Sequence, residues 1–258
     1  MSQLIAPYRY KLTLTYDGSD YAGWQVQPRQ ATIQGELEKA LHKLSGTAIK
    51  VHGSGRTDRG VHALGQTAHV DLERAWSGLV LRRTLNALLP PDIRLLSSVR
   101  AAADFHARRS ATGKEYRYLI WNAEIMPPCL RRYRTHIRAP LNASAMRAAA
   151  RHLIGSHDFA AFTANPKRVV ESTVRQLTRL TVRRQGQEII IVAGGDGFLY
   201  KMVRSLAGLL IRIGMENLPP AAARDILRSR QRTARVPTAP PEGLFLWRVQ
   251  YAAQGQRR

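Results

Sequence analysis

Acidic residues are scarce in this chain: 18 aspartates and glutamates stand against 40 lysines and arginines in 258 residues, a formal charge of +22 at pH 7. A small domain needs a net charge of only about 2–8 to stay in solution, so the excess points to a polyanionic partner, nucleic acid first. Cysteine is nearly absent. Cys129 is the single one, which excludes an intrachain disulfide and any multi-cysteine zinc or iron–sulfur site. Its neighbours Pro127 and Pro128 mark an incidental loop. Long apolar runs are missing too. The most apolar helical stretch, Leu199 to Ile213, is interrupted by Lys201, Arg204 and Arg212, so no bilayer span or membrane partner is expected. The N-terminus lacks the basic region, apolar run and small-residue cleavage site of a secretion signal, and a cytoplasmic protein is expected. Low complexity is confined to the basic tail ending in Arg257-Arg258.

What is present alternates between two periods. Tyr10, Leu12, Leu14 and Tyr16 share one face of a strand. Ile33, Leu37, Leu41 and Leu44 recur at helical spacing, with Thr32 placed to cap the start and Gly46 the end. Strands are expected at Ile49 to His52, Gln66 to Leu72 and Ile93 to Val99, and a helix over Leu79 to Leu88 stops before Pro90-Pro91. The order β-α-β-β-α-β matches a ferredoxin-like split unit. The second half repeats the theme. Strands fall at Glu115 to Trp121, Arg175 to Arg183, Glu188 to Ala193 and Leu244 to Tyr251, and helices at Ser144 to Ile154, Phe198 to Ile213 and Ala221 to Arg228. The fold class is therefore α+β: two ferredoxin-like, RRM-like split βαβ domains, residues 1–103 and 104–258, whose antiparallel sheets join around a central basic cleft suited to RNA.

The glycine-rich run Gly53-Ser54-Gly55-Arg56-Thr57-Asp58-Arg59-Gly60 first suggests a phosphate cradle. A dinucleotide fingerprint needs a third glycine where Asp58 stands, and a P-loop needs Gly-Lys-Ser/Thr. A carboxylate aimed at phosphates is also repulsive, so the loop reads as a scaffold presenting Asp58. An isolated Asp-x-Gly is an ordinary turn; here its surroundings decide. The segment Gly53 to Gln66, Phe105-His106-Ala107-Arg108 and Glu115-Tyr116-Arg117-Tyr118 closely resemble the tRNA pseudouridine synthase A family. Further matches are Tyr16-Asp17-Gly18, Gly23-Trp24-Gln25, Leu85-Asn86, Leu89-Pro90, Asp92-Ile93, Thr173-Val174-Arg175, Phe198, Met202-Val203-Arg204 and Gly243-Leu244-Phe245-Leu246, covering almost the whole chain.

The resemblance implies an isomerase that detaches uracil from its ribose, rotates it and rejoins it through carbon, at positions 38, 39 and 40 of the tRNA anticodon arm, with Asp58 as nucleophile. It implies no cofactor, since redox balance is unchanged, and a homodimer. A nucleophilic carboxylate in a closed pocket must be kept ionised by a nearby cation; Arg56 and Arg204 are the candidates. Positions 199, 202, 203, 206, 210 and 213 form an apolar stripe, while Lys201, Arg204, Ser205, Gly208 and Arg212 form a second, which suggests core on one side and something anionic on the other. Matched to the family, Arg204 pairs with Asp58, Lys201 meets phosphate, Tyr116 stacks on the target base with Tyr118 structural, and Arg56 flips the base or acts electrostatically. Arg108, with Arg109, Lys114, Arg131, Arg132 and Arg134, is expected to bind phosphate. Arg59 and Ser54 depart from the common pattern, where a small residue and an alanine are usual. His52, His62 and His69 lack helical metal-ligand spacing and an accompanying carboxylate cluster, so no metal is expected. Two rivals are a non-catalytic structured-RNA-binding protein and the same chemistry on another RNA. Release of tritium from uridine C5 separates the first, and mapping of pseudouridine in total RNA the second.

Overall fold

The computed structural model describes residues 8–164 and 171–252; the tail at Arg257-Arg258 lies outside the described residues. In chain order the elements are β1 (Tyr8–Tyr16), α1 (Ile33–Ser45), β2 (His52–Gly53), β3 (His62–Leu72), α2 (Gly78–Leu88), β4 (Ile93–Arg100), β5 (Ala111–Trp121), β6 (Thr135–His136), α3 (Ala143–Arg151), β7 (Gly155–Asp158), β8 (Val174–Gln185), β9 (Glu188–Gly195), α4 (Met202–Gly214), α5 (Ala222–Ser229) and β10 (Leu244–Tyr251). The class is mixed α+β with mostly antiparallel strand pairing. Two compact units result, one of the described residues up to Thr112 and from Leu246 on, the other Gly113–Phe245. The boundary read from sequence lay at Ala103, with everything beyond it in one domain. The first unit keeps the segment after Ala103 because Arg9 holds it, donating to the carbonyls of Ala103 at 2.6 Å and Phe105 at 2.9 Å. It regains the chain end because the last strand runs beside β3, where a Cβ on Gly65 would stand 2.6 Å from the Trp247 carbonyl oxygen.

In the first unit β1 lies between β4 and β3, antiparallel to both, and β2 pairs with β3. The alternation read from sequence holds: Tyr10, Leu12, Leu14 and Tyr16 are all buried. Helix α1 begins and ends where its caps dictate. The Thr32 hydroxyl accepts from the Gly35 amide at 3.2 Å, and Gly46 turns left-handed at φ 75°. Strand β2 is shorter than the expected Ile49 to His52. Its β-prone start is claimed by α1 instead: the Val51 amide donates to Glu38 Oε1 at 3.0 Å and its carbonyl accepts from Gln34 Nε2 at 3.1 Å. With both backbone groups satisfied by a helix, no ladder forms there.

In the second unit β9 pairs antiparallel with β5 and β8, β8 pairs with β7, and β6 runs parallel to β5. The strands β6 and β7 were not read from sequence, being two and four residues long. Helix α3 packs on both α4 and β8. Among the described residues, no helix is long and apolar enough to cross a membrane.

Candidate active site

Asp58 is half-buried on a loop that the first unit holds almost entirely through backbone and buried polar contacts. The Trp24 amide donates to the Thr57 carbonyl at 3.0 Å, and Ser54 N to the Thr67 carbonyl at 2.7 Å. Gln66, fully buried, sits beneath: its Oε1 accepts from Ser54 Oγ at 2.8 Å and its Nε2 donates to the Gly55 carbonyl at 2.9 Å. The Tyr16 and Thr57 hydroxyls lie 2.9 Å apart, and burial pushes the Tyr16 phenol well above its usual range, so it stays neutral. Gly23 makes the closest approach. At φ +107°, a Cβ there would lie 2.6 Å from the Thr57 carbonyl oxygen and 3.1 Å from the Asp58 carbonyl carbon. Only glycine meets both requirements. Of this scaffold, sequence reading placed Tyr16 on a strand and Thr57 and Gln66 within the Gly53 to Gln66 segment, but gave none of the three a part in holding the loop. Arg56 and Arg59 are exposed on the same loop, and Arg59 Nη2 donates to Gln30 Oε1 at 2.6 Å.

The second unit carries Tyr116, Lys201 and Arg204. Tyr116 is buried on β5, its ring edge-on to Phe198 with centroids 5.1 Å apart. Tyr118, two residues on, is tied into the unit by its hydroxyl, 2.6 Å from Thr135 Oγ1 and donating to the Pro240 carbonyl at 2.9 Å. Helix α4 starts at Met202, later than the expected Phe198, because Lys201 takes a left-handed conformation at φ 58°. A lysine there carries strain of about 1–2 kcal/mol.

The second face of α4 is not left open to an anion, as its polar residues had suggested. The segment Arg232–Ala239 covers it. Arg212 Nη1 donates to the Ala234 carbonyl at 2.7 Å, Ser205 Oγ accepts from Arg232 Nη1 at 2.8 Å, and Arg204 Nε donates to the Ala239 carbonyl at 2.7 Å. A Cβ on Gly208 would lie 2.1 Å from the Pro237 carbonyl oxygen. Ser205 and Gly208 are buried, whereas Lys201 and Arg204 at the first turn keep partial exposure.

Arg108 and Arg109 are exposed. Arg134 is not a free phosphate ligand: it is half-buried, paired with Glu188 and bonded to the Tyr133 carbonyl. The grouping of His52, His62 and His69 also changes. His62 Nδ1 lies 3.1 Å from both the Gly18 amide and Asp17 Oδ1, and His106 takes its place: His52, His69 and His106 bring one ring nitrogen each within 4.8 Å of one another. Their chemistry does not fit a metal. His69 Nδ1 accepts from the Ala107 amide at 3.2 Å, and His106 Nδ1 from the Arg108 and Arg109 amides at 3.1 and 3.3 Å. A neutral ring that accepts at Nδ1 carries its proton on Nε2 and has no lone pair left there for a cation. The His52 and His69 rings are also stacked, 17° apart, so their in-plane lone pairs run alongside one another.

The sequence matches the family model described as tRNA pseudouridine synthase over residues 13–108 and 149–252. It is 41% identical over 252 residues to "tRNA pseudouridine synthase A" of Maridesulfovibrio salexigens, covering 96% of this chain and 92% of that one. It is 43% identical over 243 residues to the protein of the same name from Brevibacillus brevis, covering 94% and 99%. With that of Rhodospirillum rubrum it shares 44% over 248 residues, covering 95% and 88%.

Proposed function

This chain belongs to the tRNA pseudouridine synthase family, enzymes that isomerise uridine, and from that membership we propose that it acts at positions 38, 39 and 40 of the tRNA anticodon arm with Asp58 as nucleophile. The observation that carries the proposal is the strapped loop around Asp58. A carboxylate that must add to an electrophilic carbon and later leave gains most from being held in one place before substrate arrives, and the Gly23, Ser54, Thr57 and Gln66 contacts do that.

In the proposed mechanism the glycosidic bond between N1 and the ribose C1′ breaks, uracil rotates, a C–C bond forms from its C5 to C1′, the C5 proton leaves to solvent and N1 takes up a proton, so that the product is an isomer of the substrate. No electrons are exchanged with a cofactor. Arg204 pairs with Asp58, a part that the partial exposure of the first turn of α4 supports. Tyr116 stacks on the displaced base, a part suited to a ring already held edge-on by Phe198. Extracting a base from a stem costs about a few kcal/mol; Arg56 contributes to that step or to the field around Asp58. Lys201 and Arg108 take backbone phosphates. The enzyme works in the cytoplasm as a homodimer.

The test is direct. Protein mixed with unmodified tRNA carrying tritium at uridine C5 should release the label, and pseudouridine mapped in total RNA with and without the protein should differ only in the anticodon arm. No release rejects the isomerase, and changes elsewhere reject the site.

A further inference from the structure

The helix-free face of the first unit's sheet carries a cluster for which the proposed chemistry has no use. His69 on β3 lies opposite Lys11 on β1 and opposite His52 on β2. The segment Phe105–Arg109 covers them. Its main chain is gripped from several sides: Arg9 donates to the Ala103 and Phe105 carbonyls, the Tyr251 hydroxyl donates to the Ala107 carbonyl at 2.6 Å, and the two imidazoles accept from the amides of Ala107, Arg108 and Arg109. The outward side chains of this gripped segment are Arg108 and Arg109, both exposed.

We propose that His69 and His106 are positioning residues: as neutral imidazoles they latch the segment Phe105–Arg109 and so aim the Arg108 and Arg109 guanidinium groups at RNA phosphate. The inference takes its ligand from the function proposed above and adds a device to it. An imidazolium has protons on both nitrogens, so protonation turns Nδ1 from acceptor to donor, and three main-chain amides then face an N–H group.

The surroundings oppose that protonation. Facing the cluster are the cations Arg9, Lys11 and Arg109, the third imidazole His52, and the acids Asp71, beside His69, and Asp104, beside Arg9. Asp71 is already engaged by Arg9 through both of its oxygens. Lys11 lies over the Tyr251 ring at 4.2 Å and the Phe105 ring at 5.8 Å, with its pKa lowered by burial. Burial first, then Arg9, His52 and His106, brings His69 from its ordinary 6.5 down to about 4. Burial and Arg109 lower His106 as well. An unlatched segment relieves the burial of both rings, so each takes up a proton more readily than in the latched form. The open form therefore binds more protons than the latched one, and the latch weakens as pH falls from 6.5 towards 4.

This fixes a sign. Protonating histidines near an RNA site adds positive charge and ordinarily strengthens polyanion binding; a latch that fails on protonation weakens it. The measurement is the affinity of the full-length protein for unmodified tRNA by fluorescence anisotropy, at constant ionic strength, from about pH 7.5 to about pH 5. Wild type should lose affinity by about tenfold across that range.

His106→Asn keeps an acceptor at the same branch point, suited to receive the amide two residues on as an Asx-turn does, and does not titrate. It should bind as wild type at the upper pH and lose less than wild type on acidification, the remaining loss being that of His69, which still accepts from the Ala107 amide. His106→Leu removes the acceptor and should bind about tenfold more weakly at every pH, with amide exchange accelerated at 107–109 and unchanged in β1; that comparison separates an opened latch from an unfolded domain. Affinity that rises on acidification, or His106→Leu binding like wild type, would overturn the proposal. Tritium release by wild type at the upper pH is scored separately: its absence counts against the isomerase reading, while the affinity series still decides the latch.

Discussion

In the proposed mechanism the Asp58 loop and the first turns of α4 each supply a charged group, of opposite sign, and the two elements are built by opposite means. The loop is held largely through its main chain. It is fixed by carbonyls and amides meeting Trp24, Thr67 and the buried Gln66, with Gly23 pressed against its backbone. Helix α4 is a core element, with Met202, Leu206, Ala207, Leu209, Leu210 and Ile213 buried, and Arg204 emerges from its first turn. A hydrogen-bonded loop is sensitive to the displacement of a single contact, because each donor left unpaired costs about 1–3 kcal/mol. A packed helix spreads its losses over many neighbours. Damage to the loop should therefore appear in the chemical rate, and damage to the helix mainly in stability.

The largest effect tests the loop itself. Asp58→Asn keeps the shape and removes the proposed nucleophile, and single-turnover pseudouridine formation should fall by at least about a thousandfold while tRNA affinity holds. Substantial activity in this variant would end the assignment. Gly23→Ala comes next. The methyl group must enter space 2.6 Å from the Thr57 carbonyl at a φ of +107°, so the backbone beside Asp58 has to move, and a shift of about 1 Å costs on the order of a hundredfold in rate. An unchanged rate would show that the loop tolerates displacement and would dissolve the contrast drawn above.

The other side of the comparison is probed by two changes in one helix. Arg204→Ala should lower the single-turnover rate by about thirtyfold, since a paired charge close to the reacting group is worth about 2 kcal/mol, and should leave tRNA affinity within a few-fold. Equal loss in both would make Arg204 a phosphate ligand. Gly208→Ala, further along α4, should behave differently. Its methyl group meets the Pro237 carbonyl, and the segment Arg232–Ala239 must lift. Thermal denaturation should report a loss of about 1–3 kcal/mol with the chemical rate much less affected. A rate collapse without loss of stability would mean that the two regions are held alike.

What the sequence made legible follows the same division. Elements fixed by local rules were read correctly: α1 between Thr32 and Gly46, α2 ending before Pro90, and β1 from its alternation. Asp58 and its loop stood out because the run Gly53 to Gln66, with motifs spread along the chain, resembles the family; the Asp-x-Gly alone reads as an ordinary turn. Partners distant in sequence were not readable. Strand periodicity could not show that Gln34 and Glu38 would take the backbone of Val51, nor could helical spacing show that the polar face of α4 is covered by residues some thirty positions on. The histidine grouping failed for that reason too. His52 and His69 face one another because β2 pairs with β3, but His106 reaches them only because Arg9 and Tyr251 fold its segment back onto the sheet.

The smallest effect bears on Tyr116, where the ring and the hydroxyl can be separated. Tyr118 shows what a structural tyrosine in this strand looks like: its hydroxyl meets Thr135 and the Pro240 carbonyl, and burial with the Glu242 carboxylate nearby pushes the phenol above its usual range, opposed by Thr135 and Arg204. The Tyr116 ring meets Phe198 edge-on, and ring stacking on a base is worth about 1–3 kcal/mol. Tyr116→Phe retains all of that. If the residue serves by stacking, single-turnover rate and affinity should both stay within about threefold of wild type, whereas Tyr116→Ala should lose on the order of ten- to a hundredfold. A Phe variant as impaired as the Ala variant would give the hydroxyl a proton-transfer role and make β5, alongside the Asp58 loop, a second source of reacting groups.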